Sequence, residues 1–186
     1  MPNLTIFDLD NTLLSGDSDR AWGQYIVEKK IVSDKFLVES ENFYNSYYDG
    51  NLDIHSFLDF CLKPLMENEW SNLIELREGF IENKIKPMIL SKAVEAVELS
   101  KSKGPVVIAT ATNSFVTRPI ADLFGIKNLI ATEFIIRDNK FTGEVDGVPC
   151  FREGKVQKVE KWVKENGYNL LDATFYSDSF NDCLLY

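Results

Sequence analysis

Two aspartates set two residues apart, Asp8 and Asp10, close an apolar run in the stretch LTIFDLDNTLL at residues 4–14. On a strand, residues i and i+2 point to one face, so the two carboxylates start out aligned. In an open parallel sheet, ligands bind beyond the carboxyl ends of the strands, which is where this pair falls. Two adjacent carboxylates repel unless a cation or a shared proton reconciles them. The same residues also suit a polar strand-to-loop turn, with Asp10 and Asn11 capping the backbone. Other polar clusters bear on the choice. Thr110 ends the apolar run 105–109, Asp178, Asn181 and Asp182 follow the run 173–176, and Lys155 opens a helical stretch. Carboxylates, a hydroxyl and a lysine gathered at one rim of a sheet form an oxygen-rich set. Such a set selects a hard divalent cation, and Mg²⁺ takes one or two carboxylates plus a phosphate while keeping waters. A phosphate there would meet Thr110, Lys155 and the backbone N–H groups entering the next helix.

The composition bounds the partners. The 186 residues suffice for one core domain with an inserted subdomain. A net charge of −9 argues against a nucleic-acid or anionic-membrane surface. An anionic ligand would therefore need local positive potential from a metal, a lysine and backbone N–H groups. Cys61, Cys150 and Cys183 have no metal-type spacing and read as reduced thiols of a cytoplasmic protein. Asp8 interrupts the early apolar run, so no signal peptide is expected, and no stretch approaches the length of a membrane span. The single histidine, His55, excludes multi-histidine metal sites.

The elements that must position these groups follow from periodicity. After Leu14 the pattern turns helical. A turn-and-cap cluster, Ser15 to Asp19, leads into Ala21, Trp22, Tyr25 and Ile26 at helical spacing. Ser33 is placed to cap a second helix and Asp53 a third, and a fourth runs from Ser71 to about Ile85. Residues 15–86 thus read as an all-helical insertion after the first strand, with Pro87 as the hinge back to a core domain of residues 1–14 and 87–186. From there α/β alternation resumes. A helix over 90–103 precedes a buried strand over 105–109, and the next helix takes Pro119 in its first turn. A short strand over 129–131, a hairpin about Asp138-Asn139-Lys140, a helix over 154–166 and a last strand over 173–176 complete the order. Strands alternating with helices imply a parallel sheet.

With those motifs in order, DLDNT at 8–12, Thr110 at a strand end, Lys155 within REGK and SDSFND at 177–182, the chain resembles the haloacid dehalogenase-like (HAD) hydrolases. It is most similar to subfamily IB, which holds phosphoserine phosphatases and histidinol-phosphatase-like enzymes. TNSFVTRPIADLFG and FREGKV are further matches to that branch, and together they cover nearly the whole chain. The resemblance implies a Rossmann-like parallel-sheet core with an inserted helical cap. It also implies a phosphatase working through an aspartyl-phosphate, with Asp8 as nucleophile and Asp10 as general acid and base. Asp8, Asp10 (through its backbone carbonyl) and Asp178 would hold Mg²⁺. Thr110, Ala111 and Lys155 would bind the phosphoryl group, with Asn181 contacting phosphate or its loop. Thr12 and Asp182 would support the site, and Asp17 or Asp19 would supply the acidic residue that the branch places soon after its first motif.

Two departures carry weight. Phosphoserine phosphatases use a cap arginine for the substrate carboxylate, but no arginine lies between Arg20 and Arg77. An aminoalcohol phosphate such as histidinol phosphate therefore fits an acidic cap mouth better than phosphoserine. The family also continues past its fourth motif with a helix and a further strand, whereas this sequence stops at Tyr186, so that strand is expected to be missing. The expected partner is a small phosphorylated metabolite, with no nucleic acid or membrane, in a monomer or homodimer. The same residues would serve phosphoserine hydrolysis or phosphoryl transfer to an alcohol, and a non-catalytic HAD-like binding module is the alternative of another class.

Overall fold

The computed structural model describes residues 3–179, so Asn181, Asp182 and Cys183 lie outside the described residues. The elements run β1 (Thr5–Phe7), α1 (Ser18–Glu28), α2 (Lys35–Tyr48), α3 (Ile54–Met66), α4 (Trp70–Phe80), a π-helical turn (Ile81–Ile85) and α5 (Lys86–Met88). They continue with α6 (Ser91–Lys101), β2 (Val106–Asn113), α7 (Ser114–Leu123), β3 (Asn128–Thr132), β4 (Phe134–Arg137), β5 (Lys140–Val145), α8 (Glu153–Glu165) and β6 (Thr174–Tyr176). The main sheet has the order β3-β2-β1-β6 and all its pairings are parallel. β4 and β5 form a separate antiparallel hairpin, turned by Asp138 and Asn139 with φ of 50° and 57°. Positive φ at both turn residues matches the twist of the flanking strands.

A parallel sheet is buried on both faces, and the strand period sorts its side chains into two layers. Leu4, Ile6, Val107 and Ala109 face Val159 and Val163 of α8. Phe7, Val106 and Ile108 belong to the other layer, with Phe115, Val116 and Ile120 of α7. That second layer also contains Trp22, Tyr25, Leu62, Leu73 and Phe80. The helices between β1 and β2 therefore share one apolar cluster with the sheet face. Trp22 meets Phe80 and Phe115 edge-on, with centroids 5.2 and 6.0 Å away, and Trp70 lies 5.8 Å from Phe141 of the hairpin. No described helix is long and apolar enough to cross a membrane.

Several expectations are corrected. The buried strand does not stop at Ala109: β2 continues to Asn113, with a register shift against β3 between Ala109 and Asn113. Thr110 and Thr112 are thereby held on a strand. The second helix is capped at Asp34, not Ser33, and without a side-chain bond. The fourth ends its α-helical part at Phe80.

Pro119 is not in a first turn but the sixth residue of α7, because Asn113 caps the helix by accepting from Val116 N at 3.2 Å. A proline there leaves the carbonyl four residues back, that of Phe115, without its helical donor. Arg77 of α4 supplies one: its guanidinium donates to Phe115 O at 3.1 Å and lies 4.6 Å from the centre of the Phe115 ring. Burial holds the Arg77 pKa below its usual value. Arg77→Met is expected to destabilise the fold by about 1–3 kcal/mol, the cost of stranding an acceptor. Chemical denaturation checks it, and a midpoint unchanged from the parent would mean that the carbonyl finds another donor.

Candidate active site

β1 ends at Phe7, and Asp8 N–H donates to Tyr176 O at 2.8 Å, carrying the β1–β6 ladder one residue further. The Asp8 side chain is buried against Lys155, whose Nζ lies 2.8 Å from Asp8 Oδ1. Lys155 is placed by the start of α8. A β-carbon at Gly154 would come 2.1 Å from Pro149 O, so only glycine lets the helix begin this close to the preceding loop. Arg152, at the N-cap of α8, takes φ 48° and ψ −122°, a conformation costly for a non-glycine residue. Its guanidinium donates to Gly50 O at 2.8 Å, tying the entry of α8 to the loop after α2.

Asp10 stands in the turn beyond the strand. Its Oδ1 accepts from Ser18 N at 2.6 Å and its Oδ2 from Thr112 Oγ1 at 3.0 Å. Burial, reinforced by the charge of Asp17, raises its pKa from 3.8 to about 7. The turn is closed by Asn11 N donating to Gly16 O at 3.0 Å, with Asn11 at φ 56°. The polar turn therefore exists, and Asp8 and Asp10 line a cavity beside it. Thr12 clips the two loops together: Asp178 N donates to Thr12 Oγ1 at 3.2 Å, and Thr12 Oγ1 donates to Asp178 Oδ1 at 3.4 Å. Thr110, buried on β2, accepts from Thr112 N at 3.2 Å, which leaves its O–H as a donor. Ala111 is held through its carbonyl, which accepts from Thr132 Oγ1 at 2.9 Å.

Asp8, Asp10, Asp17, Thr110, Ala111, Lys155 and Asp178 all line one cavity of about 430 Å³. Its opposite wall comes from the insertion: Phe43, Tyr44 and Tyr47 of α2, with Phe57, Leu58 and Cys61 of α3. Tyr47 Oη and Ser179 Oγ, 3.2 Å apart, join this wall to the loop after β6. Asp17 has a structural task as well as a place in the lining: it caps α1, accepting from Arg20 N at 2.8 Å. Its pKa is raised to about 6, first by burial and then by Asp19.

Sequence reasoning passed over Thr112 and Ser18, although Thr112 shares a strand face with Thr110 by the period of two. The aromatic wall carried only the helical signal of core packing. Tyr47 and Tyr48 both border the cavity, and nothing local marks either as more than a helix residue.

Asp19 lines the same cavity, and burial, with the charge of Asp10, raises its pKa from 3.8 to about 7. A carboxyl whose pKa is higher in the folded than in the unfolded state favours folding at low pH, and that contribution is lost as pH rises through about 7. Asp19→Asn is therefore expected to raise the melting temperature of the metal-free protein by roughly 5 °C at pH 8 and to change it little at pH 4. Calorimetry at the two pH values checks the sign. An equal rise at both would assign the effect to packing.

A haloacid dehalogenase-like hydrolase family model matches residues 5–185. The chain is 38% identical to a histidinol-phosphatase of Neisseria meningitidis, over 98% of this chain and 85% of that protein. A crystal structure of a protein of unknown function from Bordetella pertussis superposes with a TM-score of 0.86 at 35% identity, covering 97% of this chain and 84% of the other. A substrate-bound phosphoserine phosphatase shares the fold, with a TM-score of 0.71 at 22% identity over 98% and 80% of the two chains. A sheet of order β3-β2-β1-β6 carrying an Asp-x-Asp turn at its carboxyl end, a buried lysine on that turn and a family match along nearly the full chain agree: the chain belongs to the haloacid dehalogenase-like hydrolases and is a phosphatase of their IB branch.

Proposed function

We propose that this phosphatase hydrolyses a small phosphomonoester through an aspartyl-phosphate on Asp8, with Mg²⁺ as cofactor, and that its substrate is an aminoalcohol phosphate such as histidinol phosphate. The observation that carries the mechanism is the buried Asp8–Lys155 pair at 2.8 Å, in the lining of a cavity that Asp10 and Thr110 also line. An Asp8 oxygen attacks phosphorus, and the bond to the leaving alcohol oxygen breaks as Asp10 gives that oxygen a proton. Water then attacks the aspartyl-phosphate, Asp10 takes its proton, and inorganic phosphate leaves with Asp8 regenerated. Lys155 and the Thr110 hydroxyl hold the transferring oxygens, where charge stabilisation supplies most of the rate. Ser18 N–H and Thr112 Oγ1 keep Asp10 in place for both proton transfers.

The donor set suits the metal. Among the described residues no three acidic, imidazole or thiol groups form a cage. Asp8, the Asp10 carbonyl and Asp178 instead offer two carboxylates and one neutral oxygen, as Mg²⁺ accepts when water and phosphate complete its shell. Asp178 is held beside the first loop by Thr12. When bound, the ion offsets the repulsion between Asp8 and the phosphate.

The substrate reading is supported by the walls. Arg20 is engaged with Glu41 and stacked on Tyr44, 5.1 Å from its centroid. The cap-side lining is aromatic, aliphatic and acidic and carries no basic side chain, while the Arg152 guanidinium, which also lines the cavity, is turned to Gly50 O at 2.8 Å and the face of Phe151. The N. meningitidis relative bears a histidinol-phosphatase name. A phosphomonoester panel run with Mg²⁺ and after chelation tests the reading. Turnover should vanish on chelation and return with Mg²⁺, with histidinol phosphate preferred over phosphoserine by at least about 10-fold in kcat/KM. Turnover that survives chelation removes the metal, and a preference for phosphoserine removes the aminoalcohol.

A further inference from the structure

The loop that enters α8 carries an arginine where the backbone asks for glycine. Gly154 N–H donates to Phe151 O at 3.0 Å, closing a four-residue turn over 151–154. Arg152 is the first central residue of that turn, with φ 48° and ψ −122°. Those are the angles of a type II′ turn, whose first central position is left to glycine because a β-carbon there is strained. The other non-glycine residues of positive φ among the described residues are easier to account for. Asn11, Asp138 and Asn139 are types that tolerate it, and Lys30 directly follows the C-cap of α1.

Strain of this kind persists only where surrounding contacts over-determine it, and the side chain of Arg152 supplies such contacts. Its guanidinium donates to Gly50 O at 2.8 Å and lies 5.0 Å from the centre of the Phe151 ring. Both contacts lead toward α2: Gly50 follows that helix, and the Tyr47 ring stands 6.1 Å from Phe151, centroid to centroid. The backbone of Arg152 leads the other way. Its carbonyl accepts from Lys155 N at 2.9 Å and from Val156 N at 3.2 Å, in the first turn of α8. Gly154 packs on the carbonyl of Pro149 with no room for a β-carbon, so the turn and the helix start move together. Lys155 in turn reaches Asp8 at 2.8 Å. One residue thus links the aromatic wall of the cavity to the lysine beside Asp8.

Resting on the phosphatase reading above, we infer that Arg152 is a positioning residue of this enzyme: its side chain, held at Gly50 O and Phe151, keeps the 151–154 turn in its strained form, and that turn sets Lys155 on the transferring phosphoryl group. Arg152 takes no part in binding the ester. Without the tether the backbone at 152 relaxes toward negative φ, the first turn of α8 rotates and the lysine leaves its place beside Asp8. Placement of Lys155 is thereby made conditional on α2 being seated over the cavity.

Two substitutions at the one position test this. Arg152→Met keeps a β-carbon on the strained backbone and removes the tether, so kcat should fall by about 10-fold or more, with KM within about 3-fold of the parent. Arg152→Gly also removes the tether, but glycine holds the turn without strain, so kcat should stay within about 3-fold of the parent. A guanidinium that met the ester would be lost from both variants alike. Equal losses therefore overturn the positioning role, as does a methionine variant with parental kcat. A second readout needs no turnover. The stability coupling between Asp8 and Lys155 comes from urea denaturation of Asp8→Asn, Lys155→Met and the double variant. It should fall to less than about half its parental value in the Arg152→Met background and hold in Arg152→Gly. If no ester is hydrolysed, the phosphatase reading fails and the coupling alone judges Arg152. A coupling absent from the parent, or unchanged by Arg152→Met, overturns the inference. Arg152→Ala replaces the methionine variant in both measurements should that variant not fold.

Discussion

Replacing Asp8 with asparagine is expected to lower phosphomonoester turnover by roughly 10⁴-fold or more, the scale on which removal of a covalent nucleophile acts. The substitution keeps the size of the side chain and its place at the end of β1, where Asp8 N–H donates to Tyr176 O at 2.8 Å. It removes the negative oxygen that attacks phosphorus. The loss should appear in kcat, and no phosphoenzyme should be trapped by acid quench from labelled substrate. Because the amide still fills its buried position against Lys155, the far-ultraviolet dichroism should match the parent. A variant that turns over at the parental rate would exclude the aspartyl-phosphate route altogether.

Lys155→Met should fail in two separable ways. Catalytically, it deletes a preorganised charge at the transferring phosphoryl group, a loss of about 10²–10³-fold in kcat. Structurally, it removes the cation 2.8 Å from Asp8, whose side chain is only 10% exposed. Breaking a buried pair from one side costs about 3–5 kcal/mol. Removing both charges of this pair together lifts the imbalance, so the double variant Asp8→Asn, Lys155→Met should regain most of that stability while staying inactive. Urea denaturation of the parent, both single variants and the double variant, without divalent cation, gives the coupling directly. A coupling near zero would mean that the two side chains do not meet in solution, and the site would have to be rebuilt without the lysine.

Much of this could be read from residue order. Alternation in Leu4 to Phe7 and the continuous apolar run at 105–109 marked strands buried on both faces, because a parallel sheet has no polar side. The motif Asp8-x-Asp10, followed in order by Thr110, Lys155 and Asp178, pointed to phosphoryl chemistry through its resemblance to the haloacid dehalogenase-like hydrolases. Local rules went astray where a distant residue supplied the balance. Pro119 reads as a first-turn residue only if each helix must satisfy its own carbonyls, and here Arg77, 42 positions earlier in the chain, satisfies that of Phe115. Asp17 reads equally as a cap or as a ligand group, and the fold uses it to cap α1 while leaving it in the cavity lining.

By itself, then, the amino-acid order determined the class of sheet, the run of helices between its first two strands and the family to which the opening motif points. These depend on periodicity and on side-chain type at fixed spacing, which are local properties. Tertiary structure alone decided that Lys155 closes on Asp8 across 147 positions, that Thr112 and Ser18 hold Asp10, and that the aromatic wall of α2 and α3 faces the carboxylates. Those outcomes turn on how the insertion packs against α7 and the β4–β5 hairpin. Many weak apolar contacts of residues far apart in sequence set that packing, and no local pattern encodes it. The opening pair of aspartates was legible from the start, and the cavity they line was not.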